Sequence, residues 1–300
     1  MAWNEDAIHR WLARAHKPAV LSGTAGHDSA VLRRLAREPV LCVDACIEGV
    51  HFDAGTAPRL AGAKAALRSI SDLAASAARP RALLLSLRAP PEKSAAWVRG
   101  AITGVRAAGR RFGAELVGGD LAQAPGPAQW SVTALGERAS DGPAPGRARL
   151  RPGDWLWVSG PLGGSLRGRH LRIEPRVEWA ILAERAGAHA LMDVSDGLCI
   201  DLYRMARLSR TRIVLDLDQV PIHRDARRLA GSALEHALHD GEDHELLIGA
   251  SPGCAGRLER RLPMLRRIAR VEQGQGLVLA SARGPLRRYR MGQGGFVHGA

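Results

Sequence analysis

A chain of 300 residues, 46% hydrophobic and 24% charged, has ample apolar material for a buried core and is excluded from the disordered class. Its length suits two medium domains. Lys+Arg total 43 against 30 Asp+Glu, a formal +13, and the only lysines are Lys17, Lys64 and Lys93, so the excess is almost wholly arginine. Pairs such as Arg33-Arg34, Arg110-Arg111 and Arg260-Arg261 beside apolar helical positions read as solvated faces, which leaves specific nucleic-acid binding a minor reading.

In chain order, Asn4 caps an opening helix carrying Ile8, Trp11, Leu12 and Ala15 at helical spacing. Strands are expected over 39–45, 82–87, 114–117 and 130–135, alternating with helices over 60–78 and 92–112. The aperiodic Pro-, Gly- and Arg-rich stretch 138–153 marks the interdomain boundary, with domains over 1–140 and 150–300. Beyond it, strands are expected over 155–159, 213–217 and 245–248, and helices over 177–186, 198–208 and 234–239. Cys42, Cys46, Cys199 and Cys254 form no CxxC pair and read as reduced thiols. With no apolar leader and no membrane-length apolar run, a cytoplasmic protein without membrane association is expected.

Six aspartates stand among small residues in what read as compact turns: Asp28 in GHDSA, Asp44 in CVDAC, Asp72 in SISDLA, Asp120 in GGDLA, and Asp193 with Asp196 in DVSDG. Singly, each is explained by a turn or cap. Jointly, carboxylates with nothing basic beside them in sequence call for a cation, and hard oxygen donors suit Mg²⁺. Asp72 and Asp120 read as carboxylates at element ends, and Gly118-Gly119 would let backbone approach a phosphate. Ser195 reads as a helix cap or part of an anion site, and the Gly-rich 159–168 as a plain loop. No GxxxxGK[ST], no GxGxxG after a strand and no DFG is present, which excludes P-loop and protein-kinase sites.

The ordered set GHDSAVL (26–32), VDACIEGVHF (43–52), KAALRSISDLAA (64–75), VGGD (117–120), RPGDWLWVSGPLG (151–163), MDVSDGL (192–198) and GEDHEL (241–246) resembles the thiamine-monophosphate kinases of the aminoimidazole-ribonucleotide-synthetase-like superfamily, over almost the whole chain. That resemblance implies a two-domain α/β fold, an N-terminal mixed sheet forming a homodimer interface, and a C-terminal α/β domain completing the nucleotide and substrate site. It implies Mg²⁺-assisted transfer of the γ-phosphoryl group of ATP to thiamine phosphate. By the same resemblance Asp28, Asp44, Asp72, Asp120, Asp193 and Asp196 hold several Mg²⁺ ions, with Asp44, Asp120 and Asp196 as the catalytic carboxylates. Gly119, Asp120, Arg147 and Ser195 would contact nucleotide, and His51, Glu242 and Phe296 substrate.

Departures from the family pattern are His27 for an aspartate, Cys42-Val43 for hydroxyl residues, Ser69 for Asn, Leu121 for Thr, Asp240 for Gly and His244 for Tyr. They predict weaker or more pH-sensitive metal binding. A zinc site at Cys42, Cys46 and His51 is a further, less complete pattern. Two other function classes stay open: a sister ATP-using enzyme or degenerate paralogue of the same superfamily, and an arginine-rich nucleic-acid-binding protein.

Overall fold

Apolar residues at alternate positions and Ala-rich helical stretches build two mixed sheets with helices packed on them. The computed structural model describes residues 3–13, 19–22, 29–282 and 284–296. His27 and Asp28 lie outside them. The chain divides into two units, one made of Met1–Leu73 and Ala78–Ala139, the other of Ala74–Ala77 and Ser140–Ala300. Among the described residues no helix is long and apolar enough to cross a membrane.

The first unit begins with α1 (Glu5–Ala13), whose start is capped by Asn4 Oδ1 accepting the Ala7 N–H at 3.1 Å. There follow β1 (Pro39–Ile47), α2 (Pro58–Ala75), β2 (Ala78–Ala89), α3 (Ala95–Arg111), β3 (Glu115–Gln123) and β4 (Gln129–Arg138). Pro58 opens α2, where its missing N–H costs nothing, and Ser94 caps α3 by accepting the Trp97 N–H. The sheet runs β1-β4-β2-β3, with β4 antiparallel to β1 and β2, and β2 parallel to β3.

Register separates its two faces. The rows Cys42–Ala134–Leu83, Asp44–Val132–Leu85 and Cys46–Trp130–Leu87 lie on the buried face. Ser69 of α2 donates to the Val132 carbonyl there at 2.8 Å, and the Cys42 thiol donates to the Ser69 carbonyl at 3.1 Å. The alternate rows, Val43–Thr133–Leu84–Gly118 and Ala45–Ser131–Ser86–Asp120, form the other face, where Leu41, Val43 and Leu84 are 67%, 64% and 41% exposed. Helices α2 and α3 cross at two glycines. A Cβ on Gly62 would stand 2.0 Å from the Ala101 carbonyl oxygen, and one on Gly104 2.1 Å from that of Arg59.

The second unit contains β5 (Trp155–Val158), α4 (Val177–Arg185), β6 (Ala190–Asp193), α5 (Leu198–Ser209), β7 (Arg212–Asp216), α6 (Ala233–His239), β8 (Leu246–Ala250), α7 (Ala255–Arg261), β9 (Arg266–Glu272), β10 (Gly276–Ser281) and β11 (Gly284–Arg288). Its sheet is ordered β11-β10-β7-β9-β5-β8-β6, with only β10 and β7 parallel. Leu198, Leu202 and Met205 of α5 share one core with Ile213, Leu215, Leu247, Ile268 and Leu277 of the sheet. The α/β class and mixed sheets are those expected. Three strands, β9 to β11, and helix α7 were not anticipated, and β6 replaces part of an expected turn.

Candidate functional site

Two aspartates expected in a turn or at an element end, Asp44 and Asp120, lie within strands, whereas Asp72 is at an element end as expected. Asp44 is in the middle of β1, Asp72 in the last turn of α2, and Asp120 in the middle of β3. Asp44 is held by a fork from Arg68, Nε to Oδ2 at 2.7 Å and Nη2 to Oδ1 at 3.2 Å. Asp72 follows Arg68 by four residues, one turn along the same helical face. Asp120 is exposed on the other sheet face, and β1 and β3 are three strand spacings apart, about 14 Å, so one ion cannot bridge Asp44 and Asp120 within this unit.

Gly119 has a local cause. With φ +151°, it sits beside a register shift between β2 and β3, and a Cβ there would come 1.9 Å from the Leu85 carbonyl oxygen. Its missing side chain is therefore required by strand pairing. His51 is buried in the turn after β1, its Nδ1 accepting the Ile47 N–H at 3.0 Å, while its carbonyl accepts the buried Lys64 ammonium at 2.6 Å. The zinc pattern is not formed: among the described residues no three His, Cys, Asp or Glu side chains are grouped so as to hold a metal by themselves.

In the second unit, adjacent strands β6 and β8 bring two acidic loops together. Asp193 ends β6 opposite Leu246, the first residue of β8. The Glu242 N–H donates to the Ser195 carbonyl at 2.6 Å, the His244 N–H to Val194 at 2.8 Å, and the Val194 N–H back to Glu245 at 2.8 Å. Glu242 and His244 adopt the left-handed region, φ 55° and 51°, which is strained for residues with side chains and kept here by the surrounding bonds. The His244 ring lies between Asp193, at 3.1 Å, and Glu242, at 3.5 Å. Burial alone would discharge it, but hydrogen bonding and charge from the two carboxylates raise its pKa to about 9, so it is an imidazolium at neutral pH.

The intervening residues face away. Asp243 accepts the Gly163 N–H at 3.0 Å and pairs with Arg169 at 2.7 Å, and burial, the larger effect, pushes its pKa up to about 6. Glu245 is forked by Arg176, at 2.6 and 2.9 Å, and accepts the Ser159 hydroxyl. Gly164 donates to Asp240 at 2.8 Å. The N–H groups of Gly163 and Gly164 thus serve the protein's own carboxylates.

Ser195 is not a cap. Gly197 occupies that position without a side-chain bond, and the Ser195 and Asp196 N–H groups both donate to buried Asp201, at 3.1 and 3.0 Å. Burial and then the charge of Asp196 raise Asp201 to about 7. Arg204 spans Asp196 and Asp201. The Phe296 N–H donates to the Asp196 carbonyl at 2.9 Å, so Asp193, Ser195, Asp196, Glu242 and Phe296 are gathered at one place. Arg147 is not among them. Its carbonyl accepts from Ser209, at the far end of α5, about 18 Å along the helix from the loop. The sequence reading missed Arg68, Arg204 and Asp201. The spacings Arg68–Asp72 and Asp201–Arg204, four and three residues within helices, were the available signal.

Residues 26–137 match the model of the AIR synthase related protein, N-terminal domain, which places that part of the chain in that class of α/β domain. It is 36% identical over 286 residues to the thiamine-monophosphate kinase of Rhodopirellula baltica, covering 92% of this chain and 87% of the relative. The chain belongs to the thiamine-monophosphate kinase family. The crystal structure of the thiamine-monophosphate kinase of Stenotrophomonas maltophilia K279a superposes with TM-score 0.77 at 34% identity, covering 93% of this chain and 97% of that one. AaThiL, in a complex with AMPPCP and TMP, superposes with TM-score 0.75 at 27% identity over 95% of each chain.

Proposed function

We propose that this protein transfers the γ-phosphoryl group of ATP to the phosphate of thiamine monophosphate, giving thiamine diphosphate and ADP. The observation that carries this reading is the 36% identity, spread over 92% of the chain, with a thiamine-monophosphate kinase. An oxygen of the acceptor phosphate attacks Pγ as the bond from Pγ to the β-bridging oxygen breaks and leaves with ADP. The acceptor is already ionised, so positioning and charge neutralisation are the main requirements.

The family implies Mg²⁺, and the donor chemistry fits. Asp193 and Asp196 offer hard carboxylate oxygens three residues apart, with side chains 10% and 23% exposed, and Mg²⁺ usually takes only one or two protein carboxylates beside phosphate oxygens and water. These two would hold it in the second unit, with Asp28, Asp44, Asp72 and Asp120 as further candidates. Bound there, the ion would offset the repulsion between two polyanionic substrates. The protein's own part is to fix the carboxylates: Asp201 clamps the Ser195 and Asp196 backbone, and His244 orients Asp193 against Glu242. Ser195, Gly119 and Arg147 are proposed nucleotide contacts, and His51, Glu242 and Phe296 substrate contacts.

A homodimer joined through the open face of the first sheet is part of the reading, supported by the exposed apolar Leu41, Val43 and Leu84. A second reading, a paralogue that binds nucleotide without turnover, is favoured by the ion pairs of Asp44 with Arg68 and Asp196 with Arg204. A coupled assay of ADP release decides between them. Release that requires thiamine monophosphate supports the kinase. Nucleotide binding without release supports the second reading, and release with another acceptor alone contradicts both.

A further inference from the structure

A cavity of about 800 Å³ has neither Asp44 and Asp72 nor any residue of the Asp193/Asp196 loop in its lining. It opens in the first unit, where β2 and β3 begin and β4 ends, and is lined by Arg33, Arg34, Arg81, Arg110, Glu115 and Glu137 among others. Glu137 pairs with Pro39 across β1 and β4, five residues before Asp44, so this end of the sheet is about 17 Å along the strand from that aspartate.

Both carboxylates in the lining are already engaged. Glu137 accepts the Ala36 and Arg37 N–H groups at 2.6 and 2.8 Å and pairs with Arg81 at 2.9 Å, and Glu115 accepts the Val20 N–H at 3.0 Å. Arg33 donates to the Ala19 carbonyl and has no ion pair among the described residues. Arg34 and Arg110 have no side-chain hydrogen bond or ion pair among the described residues. Arg110 complements the carboxyl end of α3, but the helix end does not explain why three further guanidinium groups converge on the same space. Neighbouring Arg106, outside the lining, has its proton affinity lowered by burial first and by the charge of Arg110 second. Four arginines against two glutamates leave a surplus of two positive charges in a cavity of small-molecule size.

We propose that this cavity binds a small anion carrying at least two phosphoryl groups, held by the guanidinium forks of Arg34 and Arg110 with Arg33 and Arg81 at its sides. Guanidinium planes match phosphoryl oxygens bidentately, and a ligand of charge −2 or more would balance the lining. Its lining includes no residue of the Asp193/Asp196 loop, and the proposal does not depend on the reaction proposed above.

The test is calorimetric titration with inorganic pyrophosphate, and separately with ADP, in the presence of a chelator. It uses the full chain, its Arg34→Ala/Arg110→Ala variant and its Asp193→Asn/Asp196→Asn variant. Both arginines are exposed, so the first variant should fold, and circular dichroism checks that it does. We expect pyrophosphate to bind the parent and the aspartate variant alike, and to bind the arginine variant at least about tenfold more weakly. Equal binding of ADP would support recognition of the phosphoryl groups alone. Pyrophosphate binding that survives the arginine substitutions, or disappears only with the aspartate substitutions, overturns the proposal, as does ADP binding without pyrophosphate binding. A labelled single-stranded RNA that binds more tightly than pyrophosphate through the same two arginines would also overturn it, and would mark the face as a nucleic-acid surface.

Discussion

Arg204 donates to Asp196 and to Asp201 at once, so a cation of the chain sits on a carboxylate proposed for the metal. A guanidinium and a divalent ion compete for the same oxygens. Arg204→Met should therefore raise the affinity for Mn²⁺ several-fold in a calorimetric titration while lowering Tm, because buried Asp201 loses its counter-charge. Unchanged Mn²⁺ affinity would show that the pair does not gate the ion. Glu137 gives a pH-dependent case. Burial alone would raise its pKa, but the Arg37 and Ala36 N–H groups and Arg81 hold it below the usual carboxylate value of 4.5. A depressed pKa means that the stabilisation is present above pH 4.5 and disappears as pH falls through the folded value. Glu137→Gln should cost about 1–3 kcal/mol at pH 7 by chemical denaturation, with the difference from the parent shrinking below pH 4.5. A difference independent of pH would assign the loss to packing.

At the scale of elements, the β2–β3 pairing depends on Gly119. Gly119→Ala places a methyl group 1.9 Å from the Leu85 carbonyl oxygen at a φ of +151°, whereas Gly118→Ala meets only the flexible Leu84 side chain at 3.2 Å. The first should destabilise by more than about 2 kcal/mol and the second by less than about 1. Similar losses in denaturant titrations would contradict the close approach. The long helices were legible because apolar residues recur at helical spacing, and Asn4 marked the start of the shorter α1. The late strands were not, for a physical reason. β9, RRIARVE, alternates its arginines with Ile268, Ala269 and Val271 only irregularly, and β11, GPLRR, is exposed throughout and has no buried face to show as a pattern. β6 is four residues, all buried, too short to display a two-residue period, which is why Asp193 read as a turn residue.

For the whole molecule, the local motifs carried more than the net charge did. The acidic segments around Asp193 and Glu242 were legible as chemistry, and the fold brings both to the ends of paired strands. Their partners were harder to read, since the cations Arg204 and His244 are matched to Asp196 and Asp193 by the loop crossing, which no sequence period announces. The surplus of arginine first suggested a nucleic-acid partner. Four of these arginines instead line one cavity. The outer sheet face makes a separate prediction: Val43→Glu puts a charge among Leu41 and Leu84 and should convert a dimer to monomer in sedimentation velocity without unfolding the chain. A parent that already sediments as a monomer would rule that assembly out.

The most direct test of the kinase reading is to follow label from [γ-³²P]ATP in the presence of Mg²⁺ and thiamine monophosphate, for the parent and for Asp196→Asn. The account predicts label in thiamine diphosphate with the parent, and at least about a hundredfold less with the variant. Label in inorganic phosphate alone, or equal transfer by both proteins, would contradict it.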